Sequence, residues 1–169
     1  MSHGTFETID GHPAVRFERR LRHPVDKVWR AVTEPDELAH WFPTRVEVDL
    51  EEGGRMHFLH ADDAAPPAGG TVLALDPPRV FEFTWGSERL RLELEPADGG
   101  CQLTLTHFLS TREQAARDAA GWHVCLDRLG DHLDGAATVA PTGEPTGEWR
   151  RHYAEYQSRG VPAGAPVPG

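Results

Sequence analysis

The sequence predicts one α+β domain, an antiparallel sheet of about seven strands packed against a single long helix. Three observations predict it. Six short segments between Arg45 and Ser110 alternate apolar and polar residues with a period of two. Every break between them carries glycine or proline. A stretch from Thr111 to about Gly135 instead repeats its apolar residues at helical spacing.

The elements follow in chain order. "AVRFERRLRH", 14–23, sets Val15, Phe17 and Leu21 on one side of a strand, with Arg19 the one imperfect position on that side. Pro24 ends it and opens a short helix on which Val25, Val28, Trp29 and Val32 recur. A second short helix follows in "TEPDELAHWF", with Asp36 and Glu37 in its first turn, where the helix dipole favours acids. The strands are then "RVEVDL", "GRMHFLHA", "GTVLALD", "RVFEFTWG", "RLRLELEP" and "CQLTLTHFLS". Thr111 with Gln114 has the spacing of a capping box at the start of the long helix. Residues 136–147 read as a linker, 148–159 as a short helix carrying Trp149, Tyr153 and Tyr156, and 160–169 as a disordered tail. The three aromatics are expected to dock that helix on the domain or on a second copy.

Composition restricts function. The chain has 169 residues and a formal net charge of -10, which argues against nucleic acid and anionic membranes as partners. It contains neither an apolar run long enough to span a bilayer nor a signal-peptide pattern, so a cytoplasmic location is expected. Cys101 and Cys125 stand apart, without a ligand framework, and imply neither a disulfide nor zinc. GxSxG, GxxxxGK[ST], GxGxxG and HExxH are all missing, which weakens those four enzyme classes only, and no cofactor or metal is assigned.

Within "GWHVCLDRL", 121–129, the question is whether His123 and Cys125 form a site. With 100° per residue, Ala115, Ala119, Trp122, Leu126, Leu129 and Leu133 fall within about 60° of one line, the buried face. His123 and Cys125 diverge to opposite sides of that line, which makes them a poor metal or nucleophile–base pair. The outer face, with Arg117, Asp127, Arg128 and Asp131, reads as solvated. Beneath the helix, His107 shares a strand face with Cys101, Leu103, Leu105 and Leu109. Such a histidine is most often a satisfied core residue, with cavity lining, general base and metal ligand as the alternatives. Of His57 and His60, on opposite strand faces, at most one can join it. Phe81, Phe83 and Trp85 alternate onto one face as core or ligand lining. "EEGG" is a tight turn rather than a carboxylate pair.

The segments "RFERRLRHPVDKVWRAVTEPDELAHWF", "VDLEEGGRMHF", "LDPPRVFEFTW", "LTLTHFLS" and "AAGWHVCLDRLGDHLDG" together resemble the START-like superfamily, also called SRPBCC or Bet v 1-like. They are most similar to its bacterial branch related to the C-terminal domain of the heat-shock protein 90 ATPase activators. The resemblance implies a helix-grip fold over residues 14–135, with an apolar cavity between the curved sheet and the long helix. His107, Trp122, Phe83, Trp85, Trp41, Phe58, Leu105 and Leu126 are then the cavity candidates. It implies three functional classes: a binder of a small hydrophobic or amphipathic ligand, a chaperone-interacting protein, or a polyketide cyclase-like enzyme. The first is preferred, because the cavity has support along the whole chain whereas no second catalytic group is assigned to His107. A second polar group within reach of His107 would favour an enzyme. The partners left open are a small apolar ligand, a second copy of the chain and a chaperone.

Overall fold

The computed structural model describes residues 3–59, 68–138 and 146–167. The strands β1 (Thr5–Ile9) and β2 (His12–Leu21) form a hairpin whose turn puts Asp10 and Gly11 at φ 49° and 81°. That left-handed pair suits the twist of a two-residue hairpin, and glycine adopts it without steric cost. α1 (Val25–Thr33) and α2 (Pro35–Leu38) carry the chain to the far edge of the sheet. From there a meander of β3 (Arg45–Val48), β4 (Arg55–Leu59), β5 (Ala68–Asp76), β6 (Val80–Trp85), β7 (Glu88–Ala97) and β8 (Gly100–Phe108) returns until β8 pairs with β2. All pairings are antiparallel, in the order β1-β2-β8-β7-β6-β5-β4-β3. A 3₁₀ turn at Arg112–Gln114 leads into α3 (Ala115–Leu133), and α4 (Gly147–Ser158) packs on α3.

The register explains the core. Val15, His107, Leu90, Phe83 and Val72 are cross-strand partners in one row over β2, β8, β7, β6 and β5. Phe17, Leu105, Leu92, Phe81 and Leu75 form the next row. Side chains in register on one face pack as a layer, and α3 lays Ala115, Ala119, Trp122, Leu126, Leu129 and Leu133 in the same apolar cluster. The expected helix-grip architecture is present: a curved antiparallel sheet around a long helix.

Three expectations need correction. Among the described residues the sheet has eight strands and begins at Thr5, not residue 14, because β1 is an edge strand too exposed to show an apolar alternation. The stretch expected to be a loose tail is tied down over 160–167. Pro162 O accepts from Ala116 N–H at 2.9 Å, Ala165 N–H donates to Glu113 O at 3.2 Å, and Arg117 Nη1 donates to Pro166 O at 3.2 Å. Proline lacks an N–H but keeps its carbonyl, and Ala116 in the first turn of α3 has an N–H with no helical acceptor. Finally, the outer face of α3 is not simply solvated. α4 covers part of it, Arg128 pairs with Glu148 of α4 at 2.9 Å, and Asp127 is half-buried against Arg19 of β2 at 2.9 Å.

Docking of α4 follows its aromatics. Tyr156 is fully buried, while Trp149 and Tyr153 are half-buried and stack on each other at 4.9 Å. Its hydroxyl accepts from Gly4 N–H at 2.8 Å, which pins the start of the chain beneath the helix. A Cβ on Gly4 would run into the buried Phe17 ring, so that approach requires glycine. Residues 139–145, inside the expected linker, lie outside the described residues, as does His60.

Candidate functional site

Trp122 and His123 are neighbours in sequence but leave α3 toward different surroundings. Trp122 turns to the sheet. Its indole N–H donates to His107 Nδ1 at 2.9 Å, and His107 Nε2 stands 2.6 Å from Glu88 Oε1. Indole nitrogen is a donor only, so His107 Nδ1 is an acceptor and the hydrogen of the neutral ring sits on Nε2, donating to Glu88. Ser110 Oγ and Gln114 Nε2 donate to Glu88 Oε2 at 3.0 and 2.8 Å. Burial works to raise the Glu88 pKa, but the hydrogen bonds from His107, Gln114 and Ser110, together with the electrostatic attraction of His107, outweigh it and hold the carboxyl at about 2. The result is a closed polar chain, Trp122 to His107 to Glu88, set into an apolar wall.

Around Trp122 aromatics converge from three other parts of the chain. Phe42 lies after α2, Phe58 in β4 and Trp85 in β6. Trp85 stacks on Phe58 at 4.6 Å and on Phe42 at 5.3 Å, and Trp122 meets Phe42 at 5.6 Å and Trp85 at 6.4 Å. Only Trp85 of these four is not fully buried. It is the cross-strand partner of Glu88, so the solvent-reaching ring and the ionised carboxylate occupy adjacent places on the sheet.

Of the eight cavity candidates, His107, Trp122, Trp85, Phe58 and Phe83 thus come together. Trp41 comes in from the α1 side: its Nε1 donates to Ala31 O at 2.9 Å, and its buried ring meets Phe42 at 5.6 Å. Leu105 and Leu126 are buried in the apolar layer. His57 points outward and is exposed. Glu88, Ser110 and Gln114 were not foreseen. The alternation of "RLRLELEP" continues backward through Glu88, in phase with Leu90, and that phase is the signal that places it on the inner face.

On its other side, α3 turns His123 toward α4. His123 Nδ1 is 2.8 Å from the Tyr156 hydroxyl, and its ring stacks on His152 at 3.9 Å. Among the described residues, two groups of side chains bring ligand-type atoms within 4.8 Å of one another: Glu88, His107 and Asp118, and His123, Asp127 and His152. The first does not suit a metal, since His107 Nε2 carries its hydrogen. A further cleft of about 240 Å³ is lined by Lys27, Arg30, Glu37, His132 and Leu133. Two of its groups are engaged internally, with His132 on Glu37 and Lys27 Nζ donating to Leu133 O at 2.8 Å. Among the described residues no helix is long and apolar enough to cross a membrane.

The sequence pattern of the "Activator of Hsp90 ATPase homolog 1-like protein" family matches residues 22–134. The chain belongs to this family. The family lies within the START-like, or SRPBCC, superfamily. Among solved structures, the crystal structure of CalU16 from Micromonospora echinospora is 26% identical, with a TM-score of 0.72 over 92% of each chain. The solution structure of CalU16 has a TM-score of 0.74 at 26% identity over 93% of this chain and 90% of that one. An AHSA1-like protein from Aeromonas hydrophila, 24% identical, shares the fold with a TM-score of 0.63 over 72% of this chain and 92% of that one. No curated protein matches. In this AHSA1-like chain, Glu88, His107 and Trp122 fall inside the family's span, whereas Arg19, His152 and Tyr156 fall outside it.

Proposed function

We propose that this AHSA1-like domain binds a small, flat, largely apolar molecule bearing a hydrogen-bond donor. It stacks against Trp85 and directs the donor to Glu88. The observation that carries this reading is the cluster of Phe42, Phe58, Trp85 and Trp122, whose half-buried member sits beside a half-buried, ionised carboxylate. Aromatic faces supply contact area at little cost in conformational entropy, and a few fixed polar groups give such a site its orientation. The cavity residues foreseen from the sequence are therefore narrowed to the Trp85 end of the layer.

Glu88 is a second polar group within reach of His107, the feature that would favour a cyclase-like enzyme. It does not make His107 a base, because the indole of Trp122 occupies the one nitrogen lone pair. A chaperone partner rests on the family's name, and a pull-down with the bacterial homologue of heat-shock protein 90 tests it.

Native mass spectrometry of the freshly purified full chain, followed by a thermal-shift screen of polar-headed aromatics, tests ligand binding. Expected is a compound that raises the melting temperature of the wild type by mass action and fails to do so for Trp85→Ala. Absence of both a carried-over mass and any thermal shift contradicts the reading.

A further inference from the structure

The His123 side of α3 offers a second chemistry, independent of the aromatic cluster. His123 and Asp127 stand one turn apart on α3, and α4 brings His152 against them. His123 Nε2 is 3.7 Å from Asp127 Oδ2, and the two imidazole planes are inclined by 23° at 3.9 Å between centroids. Two ligands each about 2.0–2.1 Å from a tetrahedral zinc ion lie roughly 3.3–3.4 Å apart. The pair on α3 has to close by only a few tenths of an ångström, whereas the half-buried His152 has to turn out of its stack on His123 to aim a ring nitrogen at the ion.

We propose that this seam binds a transition-metal dication of the zinc type through His123 Nε2, Asp127 Oδ2 and a nitrogen of His152, with water in the fourth position. The surrounding groups fit that assignment. Arg19 Nη1 donates to Asp127 Oδ1 at 2.9 Å, which leaves Oδ2 as the oxygen facing His123. The Tyr156 hydroxyl lies 2.8 Å from His123 Nδ1, placed to accept its hydrogen when Nε2 is the ligand. The Arg19 charge opposes a dication, which selects metals that favour imidazole over calcium or magnesium, whose sites need several oxygen ligands. Because His152 belongs to α4 and His123 to α3, bound metal would clamp the two helices together.

The test uses the untagged full chain, stripped with EDTA and titrated with Zn²⁺ and with Co²⁺. Expected are a saturable rise in melting temperature at one equivalent and the visible absorption bands of tetrahedral Co²⁺. His152→Ala, at a half-buried position, and Asp127→Asn, which retains an oxygen for Arg19, should each weaken binding by roughly tenfold or more. Glu88→Gln should bind as the wild type does. The proposal is overturned if the wild type shows no saturable binding, if His152→Ala binds equally well, or if Glu88→Gln abolishes binding.

Discussion

Two histidines flank α3 at nearly equal burial, His107 at 7% exposure and His123 at 3%, yet they are satisfied in opposite ways. On the sheet side the donors and acceptors alternate: indole to imidazole, imidazole to carboxylate, with Ser110 and Gln114 closing the far end. That order fixes the His107 tautomer and consumes both of its nitrogens. On the α4 side, ligand-type atoms of His123, Asp127 and His152 lie within 4.8 Å of one another, and the hydroxyl of Tyr156 can donate or accept. Burial alone therefore does not decide what a histidine can do. The hydrogen-bond sense of its neighbours does.

The largest expected effect falls on the sheet side. Trp122→Ala removes a ring packed against Phe42, Trp85 and His107, and should cost about 3–5 kcal/mol in a denaturant titration. A much smaller loss would mean that part of the indole faces open volume rather than packed neighbours. Next comes acid. The Glu88 carboxyl titrates at about 2 in the folded chain against 4.5 as its ordinary value, so its stabilisation is complete above about pH 4.5 and is lost as pH falls toward 2. Over that window the advantage of the wild type over Glu88→Gln should shrink by on the order of 2 kcal/mol, once the partial exposure of Glu88 is allowed for. An advantage that does not depend on pH would break the closed chain.

The α4 side should be less costly to disturb. Tyr156→Phe keeps the ring but removes the oxygen shared by Gly4 N–H and His123, for an expected loss of about 1–3 kcal/mol and faster amide exchange at Gly4. The smallest effect has the opposite sign. A Cβ on Gly130 meets nothing within 4 Å and one on Gly121 meets only Trp149 Nε1 at 3.9 Å, so Gly→Ala at either should stabilise α3 by about 0.5–1 kcal/mol. A loss at Gly121 alone would show that α4 sits closer to α3 than described.

The sheet side was legible because period two is a strong constraint. His107 shares a phase with Leu103 and Leu105, and the same phase would have found Glu88 had the turn "GSE" not been taken to end the strand pattern there. Arg19 showed itself as the imperfect position of its strand, but its partner did not. Asp127 lies on the face of α3 away from the apolar line, where Arg19 of β2 meets it and α4, after a linker of unpatterned composition, covers neighbouring positions. Where a helix lands after such a linker is a long-range fact that local periodicity does not carry. The proline-rich tail failed for another reason: composition reports missing donors, whereas Pro162 and Pro166 act through their carbonyls.

The central claim is that His107 is a neutral Nε2–H donor to Glu88, locked by the indole of Trp122, and hence neither a base nor a ligand. Long-range ¹H–¹⁵N correlation of the imidazole nitrogens at neutral pH, assigned through His107→Gln, tests it most directly. The account predicts a protonated Nε2 and an unprotonated, hydrogen-bonded Nδ1 at His107, with Nδ1 changing its shift in Trp122→Phe. A hydrogen on Nδ1, or an averaged pair of shifts from exchange between tautomers, would contradict it.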